Sequence, residues 1–111
     1  MAFADVVVHK SDLPVTCVLD NPPAGVAISL AQIFDSTGTA VSLGVSASGQ
    51  SFVIPSTIAA GLVTLEVAVI GGDDTNWQQV DVVESTTPPT LIGSIVSANN
   101  KLLQAPIAVL S

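Results

Sequence analysis

The sequence predicts an all-β fold, an antiparallel sandwich of two sheets, and three observations carry that prediction. Val, Ile and Thr number 17, 8 and 9 among 111 residues while aromatics make up only 4%, and β-branched side chains sit well on a pleated, half-buried surface. Apolar residues recur with period two in several segments, the spacing at which alternate side chains share one face of a strand. Turn chemistry interrupts the chain at intervals of about 8 to 12 residues, the rhythm of a sandwich built from short strands.

Residues 5–9 and 13–19 read as two short strands around the turn residues Ser11 and Asp12, with Pro14 at the start of the second, where a missing N–H is tolerated. Asn21-Pro22-Pro23-Ala24-Gly25 breaks the chain, since two prolines forbid helix and glycine permits positive φ. From Val26 to Phe34, alternation sets Val26, Ile28, Leu30, Gln32 and Phe34 on one face and Ala27, Ser29, Ala31 and Ile33 on the other. Asp35-Ser36-Thr37-Gly38 is a turn in which the aspartate can bond its own backbone and the glycine can take αL. Residues 39–46 return with Val41, Leu43 and Val45 inward, the clearest hairpin in the chain.

Phe52-Val53-Ile54-Pro55 is a short strand, and Ile58-Ala59-Ala60-Gly61 a corner. Leu62 to Ile70 then alternates cleanly, with Val63, Leu65, Val67 and Val69 on one face, and is predicted to be a central strand. Gly71-Gly72-Asp73-Asp74-Thr75 turns the chain into residues 76–84. There the core face stays open, because Val80 and Val82 compete with Trp77 and Val83.

The domain organisation follows as a body over residues 1–84, a linker over 85–89 stiffened by Pro88 and Pro89, and an apolar segment over 90–111. That last segment holds Leu91, Ile92, Ile95, Val96, Leu102, Leu103, Ile107, Val109 and Leu110, too apolar a set for a disordered tail. Two readings are open for this C-terminal hydrophobic extension. It is a hairpin that completes the sandwich, or an arm that adds a strand to the edge of a neighbouring subunit. The linker favours the arm, which makes these nine residues, together with Trp77, the candidate partner-binding side chains.

Charge and composition exclude several functions. Two cations, Lys10 and Lys101, against nine acids give a net charge of −7, so phosphates have no basic cluster to meet and nucleic acid is not an expected partner. The amino terminus lacks a positive region followed by a long apolar run, and no apolar stretch approaches the ~20 residues of a membrane span. Neither export by a secretory signal nor a membrane partner is expected. The lone Cys17 closes no internal disulfide, which suits a chain folded in a reducing compartment.

Candidate chemistry is sparse. His9, the one histidine, has Asp5 or Asp12 nearby in sequence for a hydrolytic triad with a serine, but no Gly-x-Ser-x-Gly elbow accompanies it, and a surface histidine at a strand end is the simpler reading. Cys17 on an apolar strand face reads as an inert core residue, because a reactive thiolate wants cationic neighbours. Asp73 and Asp74, with Asp20 and Asn21, supply oxygens of the kind calcium takes, against the plainer reading of a solvated turn. Trp77 follows a polar loop and is either a core residue or an exposed ring for a sugar or a protein partner. No catalytic residue, cofactor or metal is expected.

The stretch from Ile58 to Val67 resembles the corner and central strand of immunoglobulin-like domains, and residues 29–41 resemble the strand, polar turn and return strand of the same fold. Val63 stands where many relatives place a corner tyrosine, and Cys17 has no partner cysteine on the strand from Leu62 to Ile70, so the likeness is to the disulfide-free variants. Small, acidic, cysteine-poor sandwiches of this kind are similar to accessory virion proteins of tailed bacteriophages, above all capsid decoration (cement) proteins. The resemblance implies a non-enzymatic protein on the outer capsid surface, assembled from the host cytoplasm. It binds the major capsid protein or other virion subunits and forms a homo-oligomer, with a trimer favoured. The alternatives are a neck, tail or baseplate component, or a carbohydrate or cell-surface recognition module.

Overall fold

The computed structural model describes residues 6–20, 22–72, 77, 79–85, 89–95 and 101–111. Among the described residues, ten strands form two five-stranded sheets that pack face to face as a β-sandwich. The first sheet has the order β1 (Val6–His9), β10 (Leu102–Leu110), β7 (Gly61–Ile70), β3 (Ala27–Phe34), β4 (Ala40–Ser42). The second has the order β5 (Gly44–Val45), β6 (Ser51–Ile54), β2 (Val15–Asp20), β8 (Val80–Glu84), β9 (Thr90–Ile95). All pairings are antiparallel except β1 with β10, which is parallel.

The order β10-β7-β3-β4 matches the G-F-C-C′ order of an immunoglobulin-like sandwich, and β5-β6-β2 matches its D-E-B order. The departure lies in β8 and β9, a strand pair placed between β7 and β10 in the chain. It fills the positions beside β2 where the fold's first strand otherwise stands. Here that first strand, β1, pairs with β10 in the opposite sheet, so residues 6–20 contribute to both layers.

The core lies between the sheets and is built from aliphatic side chains around Phe52, with Ile33, Leu65 and Val67 fully enclosed. Strand β7 is third of five in its sheet, the central place that its alternation predicts, and buries Val63, Leu65, Val67 and Val69. The hairpin of β3 and β4 turns where expected. Asp35 Oδ1 accepts hydrogen bonds from the backbone N–H groups of Thr37 and Thr39, both at 2.9 Å, and from Thr37 Oγ1 at 2.6 Å. Gly38 supplies the positive φ, 86°.

Two sequence expectations are corrected, and two readings left open are decided. The alternation through residues 26–34 does not hold to one face: a bulge between Ile28 and Leu30 flips the strand, so that Ile28, Ala31 and Ile33 are buried while Leu30 faces out. The return strand is not one element, because the chain crosses between sheets at Leu43, and Val45 is exposed rather than inward. In the stretch 76–84 the core face belongs to Val80 and Val82, with Val83 on the outside.

Residues 90–110 complete the sandwich, as the first of the two open readings has it, although their two strands do not pair with each other as a hairpin. Strand β9 is in the second sheet and β10 in the first, where it lies between β1 and β7, and both supply core side chains. Gly93 lets the two sheets close at this end. A Cβ there would sit 2.7 Å from Leu103 Cδ1 on the opposite layer.

Candidate protein-interaction face

The pairing registers place outward side chains of the first sheet in rows across its strands, since directly paired residues share a face. One row runs Val7, Ala108, Leu62, and the next Pro106, Thr64, Phe34, Ala40. The third is polar: Gln104, Glu66, Gln32, Ser42. Beyond it the face is apolar again, with Leu102, Ala68 and Leu30, and then Ile70 at the end of β7. Val7, Leu62 and Ile70 are each about half exposed, at 48%, 52% and 58%, and Leu30, Leu102 and Leu110 are exposed as well. Exposed apolar side chains gathered on one face in this way are the kind that mark interaction surfaces.

The polar row is closed on itself. Gln32 donates through Nε2 to Glu66 Oε1 at 3.0 Å, and Gln104 donates through Nε2 to Glu66 Oε2 at 3.0 Å. Both carboxylate oxygens of the single acid on these strands therefore have donors from within the chain. Glu66 is held by its flanking strands and can be covered without losing every hydrogen bond it makes.

The outer face of the second sheet differs in charge. Asp20 on β2 pairs directly with Asp81 on β8, setting two carboxylates opposite one another. Ser94 Oγ donates to Asp81 at 2.7 Å and Gln79 Nε2 donates to the same oxygen at 2.7 Å, and these bonds hold the Asp81 carboxyl below its usual range. Leu91 and Val53 are exposed on this side.

The candidate partner-binding residues separate into three groups. Ile92, Ile95, Leu103, Ile107 and Val109 are core side chains, which corrects their assignment to a partner surface, because they reach a partner only if the sandwich opens. Leu102 and Leu110 lie on the outer face of the first sheet and Leu91 on the second. Val96 lies outside the described residues. Trp77 is half-buried against the core, with Lys101 Nζ 5.6 Å from its ring centroid, so it is not a free platform beside a polar loop.

The other sequence candidates are dispersed. His9 is exposed at the end of β1, and among the described residues no hydrogen bond joins it to Asp12 or to a serine; Asp5 lies outside the described residues. Asn21, Asp73 and Asp74 also lie outside them, and among the described residues no three His, Cys, Asp or Glu side chains cluster as a metal site. No pocket is found among the described residues. Cys17 is enclosed, its thiol pushed up to about 12 by burial and then by the nearby Glu84 carboxylate.

Val7, Leu30, Leu62, Glu66 and Ile70 were not singled out by sequence reasoning as surface-forming residues. A signal was present. At the outward positions of β7 and β10, apolar Leu62, Ile70, Leu102 and Leu110 stand beside the polar Thr64, Glu66 and Gln104, whereas a strand with one fully solvated face carries polar residues there throughout. No protein-family model matches this chain, and no curated protein or solved structure matches it.

Proposed function

We propose that this chain is a structural protein that works by protein–protein contact, an accessory virion protein of the capsid-decoration kind, with the outer face of the first sheet as its assembly surface. The observation that carries the reading is that face: apolar rows on either side of a self-satisfied Gln104–Glu66–Gln32 band, with Val7, Leu62 and Ile70 about half exposed. Covering it removes apolar surface from water at about 25 cal/mol per Å² and leaves Glu66 its internal donors. A protein that binds only an assembled shell stabilises that shell by mass action. The charge of −7 supports an outer location, since packaged nucleic acid repels an acidic chain.

Mass spectrometry of purified particles from the source tests the reading. The expected result is this chain in fixed ratio to the main shell subunit, and its loss from the particles when Leu62→Glu is introduced. Particles that lack the chain overturn the virion assignment.

A further inference from the structure

We infer that the outer face of the first sheet is covered by a second copy of this chain, in a two-fold dimer that packs sheet on sheet. The inference rests on the reading of this face as an assembly surface and names its occupant. Charge is the first argument. Each chain carries −7, so two copies approach only through a surface nearly free of charge. On the second sheet, Asp20 and Asp81 stand opposite one another. On the strands of the first sheet the outward carboxylate is Glu66 alone, already bonded by Gln32 and Gln104.

Layout is the second argument. The polar band crosses the middle of the face, with apolar rows holding Leu62 and Phe34 on one side and Leu30 and Leu102 on the other. A two-fold axis lying in the interface between β3 and β7, parallel to the strands, sets band against band and apolar rows against apolar rows while the two Glu66 carboxylates stay off one another. A second copy has this matching layout by symmetry. The face is used up by one partner, so it closes a dimer and gives no trimer, which needs two different patches on each chain.

Area is the third. The five strands of the sheet have 4, 9, 10, 8 and 3 residues, and with strands about 4.8 Å apart rising about 3.3 Å per residue the whole face projects to roughly 540 Å². Two copies together bury about 1,100 Å² before side-chain relief is counted, above the ~1,000 Å² a stable biological interface needs.

The test is the solution mass of the full chain by light scattering after size exclusion, over a concentration series, for wild type, Leu62→Glu, Leu30→Glu and, as the control on the other sheet, Leu91→Glu. All three positions are exposed, and circular dichroism with a thermal melt reports whether each variant folds. The expected result is a two-copy mass for wild type and Leu91→Glu. Each first-sheet variant, folded, weakens the dimer by at least about tenfold. A one-copy wild type at every concentration, a three-copy mass, or a dimer untouched by folded Leu62→Glu and Leu30→Glu overturns the inference. A one-copy chain whose Leu62→Glu variant still drops out of particles places a virion subunit on the face and leaves the proposed function standing. A dimer absent from particles does the reverse.

Discussion

Cys17 on β2 and Glu84 on β8 are direct cross-strand partners whose side chains both turn into the core, the thiol fully enclosed and the carboxylate 8% exposed. Glu84 Oε1 is buried without a hydrogen-bond partner among the described residues. Burial raises the Glu84 carboxyl above its ordinary range, with a further push from Asp12. A carboxyl raised on folding favours the folded state below its ordinary value near 4.5, and that contribution is lost as pH rises through the raised value. Glu84→Gln is therefore expected to stabilise the chain at neutral pH by about 1 kcal/mol and to flatten the pH dependence of the urea midpoint above 4.5. A variant less stable than wild type at neutral pH counts against this account.

Asp35 and Asp81 act in the opposite direction. The Thr37 side chain, with backbone N–H groups of the turn, holds the Asp35 carboxyl below its usual value, and Gln79 and Ser94 do so for Asp81. Their contribution is present above the ordinary aspartate value of 3.8 and is lost as pH falls through the lowered values. Wild-type stability is thus expected to peak between the ordinary values of 3.8 and 4.5. Urea unfolding at low protein concentration across this range checks it, since the chain is close to its isoelectric point of 4.1 there.

The Cys17 thiol is expected to be inert in the folded protein. It is enclosed, pushed up to about 12, and a thiolate is what alkylating reagents attack. Iodoacetamide labelling followed by mass measurement should give no adduct under native conditions and full labelling in denaturant. Fast native labelling refutes the enclosed position.

Two glycines with similar φ should respond differently to alanine. Gly71, at φ 88°, lies so close to Gly25 that an added Cβ would run into its carbonyl oxygen, whereas Gly38, at φ 86°, has nothing within 4 Å. Gly38→Ala is expected to cost about 1 kcal/mol, the strain of a left-handed alanine. Gly71→Ala adds a backbone clash and is expected to cost more than about 2 kcal/mol. Urea denaturation of the two variants side by side makes the comparison, and equal losses would remove the close approach from the account.

A chain ending at Glu84 should not fold. It lacks β9 and β10, and with them the core side chains Ile92, Ile95, Leu103, Ile107 and Val109. At roughly 1.5 to 3 kcal/mol for each buried side chain, the loss is comparable to the ~5 to 15 kcal/mol that holds a domain together. No cooperative thermal transition is the expected outcome. A folded truncated body restores the reading of residues 90–111 as an arm.

Local chemistry makes much of this fold legible in the sequence. Period-two alternation marks β7 and its buried valines, and Asp35 with Gly38 marks the turn between β3 and β4, because these features depend on neighbours a few residues away. What the tertiary structure alone decided is long-range. Gln32, Glu66 and Gln104 are far apart in sequence and become one band only when β3, β7 and β10 pair in register. The bulge between Ile28 and Leu30 turns Leu30 outward, which no alternation pattern announces. The apolar residues of β9 and β10 read equally well as an arm or as core until the strands are placed in their sheets. Leu62 likewise becomes a surface residue, and Val63 a core one, only once β7 is placed with one face against the opposite sheet. The physical reason is that a strand's sequence sets which residues share a face, while pairing and packing set which face meets the core.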